Sequence, residues 1–374
     1  MGESSCHSIS GDLCSRPQRK QGDLVLKTDA AYLEQLRLDS ISIMGPLLGG
    51  AEVALLDAPN QRNVGDSLIW AGEIAYLERM GLRVRYVADI QGYDPSRLRR
   101  AMPSGVILLH GGGNFGDLWP GHQTHREQIV RDFPDYRIVQ LPQSIYFRDE
   151  KKAATANQII GAHPDFSLLL RDHESIKRAR VQLPDVAVTF CYDMALGYAP
   201  PAAPVPVNDR RNVLVIARAD VERSSGLHDI GADWLPGATI TKTDWGPGDG
   251  PAEVLWQAAR MLTKADHRVV RTQRRRRVLG AGVAHFGAEQ AIGLLNRMNV
   301  SGAVELYSRA GLVVVDRLHA HVLAALLGLD HIVLDNNYRK IGSVYDEYTG
   351  RFSTASYATD IDEARELAMQ AVTV

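Results

Sequence analysis

In Leu312-Val313-Val314-Val315-Asp316-Arg317-Leu318-His319-Ala320-His321, a β-branched apolar run stops at an acid, a guanidinium and an imidazole. An Ala/Leu-rich stretch of helical character follows at once and ends near Gly328. Arg317 offers a planar fork for a carboxylate or phosphate. His319 can exchange a proton near neutral pH. Strand, tight turn and helix would set both at the carboxyl end of a strand, where open α/β sheets bind ligands. The free N–H groups of the helix start favour an anion there. His321, in the first helical turn, reads as packing.

Five other segments have chemistry-bearing residues near the end of an apolar run. His110-Gly111-Gly112-Gly113-Asn114-Phe115-Gly116-Asp117 follows Val106–Leu109. Its consecutive N–H groups could nest an anion, or the glycines could serve a tight turn. It has neither the dinucleotide spacing nor a P-loop lysine. Asn63-Val64-Gly65-Asp66-Ser67-Leu68-Ile69 opens a helix, with Asp66 as a candidate N-cap. The Gly-Asp-Ser-Leu tetrad also suggests a hydrolase with Ser67 as nucleophile and Asp316 and His319 as its partners. Arg171-Asp172-His173-Glu174-Ser175 follows Ser167–Leu170. There Arg171 is either a cleft cation or half of a structural ion pair, and Asp172 or Ser175 caps a helix. Arg218-Ala219-Asp220 ends Val213–Ala217, and Asp335-Asn336-Asn337-Tyr338-Arg339-Lys340 follows His331–Leu334. His122 and His125 are one helical turn apart but lack a zinc pattern.

Elements that would position these residues recur along the chain. Strand-like runs occur at Ala51–Leu56, Arg83–Val87, Val106–Leu109, Tyr136–Val139, Ser167–Leu170 and Val186–Phe190. Helical stretches, such as Asp66–Met80, His122–Asp132 and Asp172–Arg180, lie between them. A Pro-rich break at 200–210 reads as a linker. After it come Val213–Ile216, a helix near Glu253–Leu262, a strand at Arg268–Val270, a helix from about Gly287, Leu312–Val315, His331–Leu334 and a helix at Ile361–Val372. Strands alternating with helices predict parallel sheets. The expected organisation is a disordered tail over 1–28, a Rossmann-like domain over 29–199, the linker, and a second Rossmann-like domain over 211–350. A C-terminal helix within 351–374 would return to the first domain.

The chain has 374 residues and a formal net charge of -2, which gives no electrostatic case for nucleic acid. The exception is Arg274-Arg275-Arg276-Arg277, read as a solvated stretch or, alternatively, a polyanion contact. Three scattered cysteines argue against a disulfide framework and for a cytoplasmic location. No apolar run is long enough for a membrane span, and no amphipathic anchor is evident. The polar stretch to about Asp23 has no signal-peptide core.

Taken together, the segments resemble the polysaccharide pyruvyl transferase family. The resemblance rests on Asn63–Ile69, on Gly111-Gly112-Gly113-Asn114-Phe115-Gly116-Asp117-Leu118-Trp119, and on Leu141-Pro142-Gln143-Ser144-Ile145. It continues through Arg171-Asp172-x-x-Ser175, Asp193-Met194-Ala195, Asp316–His321 and Asp335-Asn336-Asn337-Tyr338-x-Lys340. The motifs keep their order over most of the chain. The resemblance implies two Rossmann-like halves arranged as in GT-B glycosyltransferases. It implies transfer from phosphoenolpyruvate onto two hydroxyls of a sugar in a polysaccharide or glycolipid, forming a pyruvate ketal and releasing phosphate. Such a reaction belongs to exopolysaccharide biosynthesis and needs no metal or other cofactor. Arg317, Leu318 and His319 would hold the donor with a further arginine, Arg171 or Arg218. His319 would be the acid or base, with Arg317 beside it. Gly65, Asp66, Gly111, Gly112, Gly113, Asn114, Asp117, Gln143, Asn337 and Lys340 would shape the cleft or bind the acceptor. A lipid-linked acceptor would bring the protein to the inner membrane face. The alternatives are a nucleotide-sugar glycosyltransferase of the same fold, the hydrolase, and a non-catalytic anion- or sugar-binding protein.

Overall fold

The computed structural model describes residues 29–200, 209–218, 225–243, 245, 251–273, 281–335 and 340–373, with only the backbone at 251, 281 and 340. The tail 1–28, most of the linker, Asp220, the Arg274–Arg277 run, Asn337 and the Lys340 side chain lie outside what is described.

The first half runs α1 (Asp29–Leu48), β1 (Val53–Leu56), α2 (Val64–Arg79), β2 (Val84–Ala88), α3 (Pro95–Ala101), β3 (Val106–Leu109), β4 (Gly112–Gly116), α4 (Pro120–Asp132), β5 (Arg137–Tyr146), α5 (Glu150–Gly161), β6 (Phe166–Leu170), α6 (His173–Gln182) and β7 (Ala187–Phe190). These strands form a seven-stranded parallel sheet of order β2-β1-β3-β5-β6-β7, with β4 paired to the second half of β5. The second half runs β8 (Asn212–Ile216), β9 (Thr239–Thr243), α7 (Pro251–Gln273), α8 (Ala281–Tyr307), β10 (Leu312–Val315), α9 (Leu318–Leu326), β11 (His331–Leu334), α10 (Lys340–Glu347), β12 (Ala355–Ala358) and α11 (Ile361–Thr373). Its five strands form a second parallel sheet, β12-β11-β10-β8-β9. The protein is thus an α/β chain with two parallel sheets.

Both sheets are apolar on both faces, so successive strand residues feed different cores. In β1, Val53 and Leu55 point to one side, and Ala54 and Leu56 to the other. In β10, Val313 and Val315 join the same central core as Val53, whereas Leu312 and Val314 face the outer helix α11. The central core therefore draws from both sheets, with α2 and α9 packed into it. In each sheet the strand order reverses once, between β1 and β3 and between β8 and β10. Such switch points leave a crevice at the strands' carboxyl ends.

Four expectations need correction. Arg268–Val270 is not a strand but the last turns of α7, where Asp266, His267 and Val270 are buried at helical spacing. The C-terminal helix does not return to the first half. Ala364 and Ala368 of α11 pack on Val213, Leu312 and Ile332 of the second sheet. That sheet also extends past residue 350 through β12. Finally, the glycine-rich segment is partly a strand. Gly116 has φ +127°, and a Cβ there would lie 1.9 Å from the Tyr146 carbonyl oxygen, so only glycine lets β4 lie against β5.

Candidate active site

A cleft of about 420 Å³ opens at the carboxyl ends of both sheets. From the first half come Asn63, Gly65 and Asp66 at the start of α2, Gly113 and Asn114 of β4, His122 of α4, and Arg171 after β6. From the second come Arg218 after β8, and Arg317, Leu318 and His319 at the start of α9. Arg171 and Arg218, weighed as alternatives from sequence, therefore share one cleft with Arg317.

Each cation is set by its strand end. Asp316 is 1% exposed and accepts the Arg218 N–H at 2.8 Å and the Ser225 hydroxyl at 2.6 Å, which fixes the loop after β8 beside that after β10. Burial raises its pKa, opposed by those same two donors. Arg171 is fully buried. Its Nη1 donates to Asp193 at 2.6 Å, and its Nε donates to Ser144 Oγ at 3.0 Å. Its Nη2 is buried with no hydrogen-bond partner. Burial alone would raise the Asp193 pKa, but Arg171 and His319 hold that carboxyl well below its usual range. His319 Nε2 stands 3.3 Å from Arg171 Nη1 and 3.4 Å from Asp193 Oδ2. The imidazole thus sits between a guanidinium donor and a carboxylate acceptor.

The start of α2 packs against this imidazole. Asn63, not Asp66, is the N-cap: its side-chain oxygen accepts from Gly65 N–H and Asp66 N–H. Its Nδ2 in turn donates to the Asp66 carboxylate at 2.7 Å. A Cβ at Gly65 would lie 2.7 Å from His319 Nδ1, so glycine makes room for the ring. The N-termini of α2 and α9 both border the cleft, adding their partial positive charge to that of Arg62, Arg171, Arg218 and Arg317.

A second imidazole was weighed from sequence only as half of a metal pair. His122 Nδ1 donates to Asp57, 2.9 Å from each carboxylate oxygen, leaving Nε2 as the ring nitrogen for the cleft. Asp57 ends β1 with φ +61°, a conformation rarely held by a residue with a Cβ. The strand-end rule that singled out Arg171 and Arg317 applies equally to Asp57. His125 instead is buried, which pushes its pKa down to about 4.

Other expected site residues support the cleft from behind. The Gly111 N–H donates to Glu73, whose other oxygen meets His110 Nδ1 at 2.8 Å, so the supposed anion nest is already filled by a carboxylate. Gly112 packs beside Ile69. Gln143 is fully buried, donating to the His110 carbonyl and Asn114 Oδ1 and accepting from Asn114 N–H. Asp117 accepts from the N–H groups of Arg148 and Asp149. None of these four lines the cleft. Asp172 is the cap of α6, accepting from Ser175 N–H. His321 is buried between His331 and Thr349, each at 2.7 Å. Ser67 is fully buried and accepts from Asn299 Nδ2, and Asp316 serves Arg218 and Ser225 rather than His319. The hydrolase reading fails on both counts.

An α/β protein with four arginines and two placed imidazoles lining a cleft at the carboxyl ends of two parallel sheets presents a cationic surface suited to a small polyanion. The profile of the polysaccharide pyruvyl transferase family matches residues 63–338, and the chain belongs to that family. It is 30% identical over 310 residues to pyruvyl transferase 1 of Schizosaccharomyces pombe, covering 77% of this chain and 67% of that protein. It is 28% identical over 300 residues to EpsO of Bacillus subtilis, provisionally named a pyruvyl transferase, covering 78% of this chain and 83% of EpsO. A solved structure of an uncharacterized Klebsiella pneumoniae protein superimposes at TM-score 0.49 and 17% identity, covering 87% of this chain and 98% of that one.

Proposed function

We propose that this chain transfers the enolpyruvyl group of phosphoenolpyruvate onto two hydroxyls of a sugar in a polysaccharide or glycolipid, in the cytoplasm, on a GT-B-like frame. The observation that carries the reading is the buried Arg171 beside His319. Its Nη2 is a charged donor with nothing to bind, in a cleft shared with Arg218 and Arg317. A ligand with both carboxylate and phosphate supplies the missing oxygens.

The atoms balance without a cofactor. A proton from His319 adds to the donor methylene, making it a methyl and leaving positive charge at the adjoining carbon. A sugar oxygen attacks that carbon, and its proton returns to His319. The C–O bond to phosphate then breaks, the second sugar oxygen closes the ketal, and its proton leaves with the phosphate. Arg171, Arg218 and Arg317 hold the donor and offset charge on the departing phosphate. Asp193 orients His319. His122 Nε2, fixed by Asp57, is placed for an acceptor hydroxyl.

Donor binding and chemistry are tested separately. Phosphoenolpyruvate should raise the melting temperature of the protein, and a nucleoside diphosphate sugar should not. His319→Ala should keep most of that shift and lose pyruvyl transfer by about 10²-fold or more. Stabilisation by the nucleotide sugar instead would favour glycosyl transfer. Near-normal transfer by folded His319→Ala would remove this residue from the mechanism.

A further inference from the structure

The antiparallel hairpin of α7 and α8 carries an apolar face that no described element covers. Of the ten exposed large apolar residues among those described, six lie here: Val254, Leu255, Met261, Leu262, Val283 and Phe286. On α7 the inward face is Trp256, Ala259, Thr263, Asp266, His267 and Val270. At 3.6 residues per turn the opposite side is Val254, Ala258, Met261 and Ala265, flanked by Leu255 and Leu262. This face is apolar where a solvated helix face would be polar. The contact of Asp266 with His285 puts the exposed Phe286 and Val283 level with the C-terminal turns of α7.

Charge decides between occupants. Lys264, Arg268 and Arg271 are exposed along one edge of the apolar stripe, and Arg260 is half-buried beside them. The two acids of α7 are engaged elsewhere: Glu253 pairs with Arg62 and Asp266 with Arg97. A second copy docking by a two-fold axis would therefore set like charges against each other with no acid on α7 to receive them. An apolar stripe bordered by Lys and Arg instead matches the interface of a bilayer with anionic headgroups.

We propose that the outer face of α7, with the start of α8, docks this protein onto an anionic lipid surface. The helix is about 35 Å long at 1.5 Å per residue and would lie in the plane of the interface. Its N-terminal end adjoins the cleft. Arg62, which lines the cleft, stacks over Trp256 at 4.4 Å and pairs with Glu253. A docked helix thus brings the N-terminal end of α7, which borders the cleft, close to the membrane. If the proposed pyruvyl transfer holds, the acceptor class this suits is a glycan carried on a lipid.

The test is flotation of the full chain with vesicles of phosphatidylcholine alone or of phosphatidylcholine with phosphatidylglycerol, without donor or acceptor. The wild type should float with the anionic vesicles about tenfold or more above the neutral ones. Leu255→Gln with Leu262→Gln should reduce this about tenfold, as should Lys264→Glu with Arg268→Glu. Both double variants change exposed positions and should keep the wild-type melting temperature. Failure of the wild type to float, or undiminished flotation of both variants, overturns the proposal. So does a wild-type dimer that becomes monomeric in Leu255→Gln/Leu262→Gln while binding no vesicles, since the face then belongs to a second copy. Because no donor is present, any of these outcomes leaves the pyruvyl-transfer reading as it stood.

Discussion

At the scale of single residues, the site depends on side chains whose positions are set by atoms they do not react with. Gly65 is the clearest case, because it is defined by what it lacks. With a Cβ predicted at 2.7 Å from His319 Nδ1, Gly65→Ala must push the imidazole or the start of α2 aside. The expected result is a kcat drop of about tenfold or more, since small misplacements of a reacting group cost that much. Donor-induced stabilisation should change little. Unchanged kcat would mean that the ring moves freely, against the tight setting described above. Arg171, Arg317 and His319 were legible in the sequence because each stands just after an apolar run. The Asp57–His122 pair was not, because five elements, α2 to β4, separate its members, with no local pattern linking them. The glycine loop misled for a similar reason: its Gly111 N–H is answered by Glu73, from a helix 38 residues earlier.

At the scale of elements, β-branched runs announced most strands, and the alternation with helices announced the parallel sheets. Exceptions have physical causes. In α7, Val269 and Val270 favour a strand locally, but burial of one helical face overrides that preference. In β4, glycines that look like a loop are required for its close approach to β5. The α7–α8 hairpin also grips the first half. Arg97 of α3 pairs with Asp266 at 2.7 Å, and His267 meets Asp89 at 2.8 Å. His285 stacks on Tyr86 and contacts Asp266 and Glu289. Burial alone would lower the pKa of His285, but Asp266 and Glu289 push it up to about 9. Because the folded value lies above the unfolded value of about 6.5, this grip is fully present below about pH 6.5. It is lost as pH rises through about 9. Melting temperature should fall across that window, and His285→Gln should flatten part of the fall. His110, also held up to about 9 by Glu73 against its burial, supplies another part. If the His285→Gln profile merely parallels the wild type, the hairpin grip is not protonation-dependent.

At the scale of the whole molecule, the two halves do more than face each other across a cleft. One apolar core draws on both sheets, and α1 bridges the halves on its own account. The Tyr32 hydroxyl donates to the Tyr348 carbonyl, and Asp29 accepts from Ser353 N–H. On the other side Asn296 and Asn299 of α8 reach Pro59, Gln61 and Ser67. Covalent continuity between residues 200 and 209 is therefore a minor part of what joins the halves. Two separately encoded polypeptides, divided at that junction and produced together, should assemble into one particle that still answers phosphoenolpyruvate with a rise in melting temperature. Recovery of only unassociated fragments would show that folding needs the tether even though the finished structure does not.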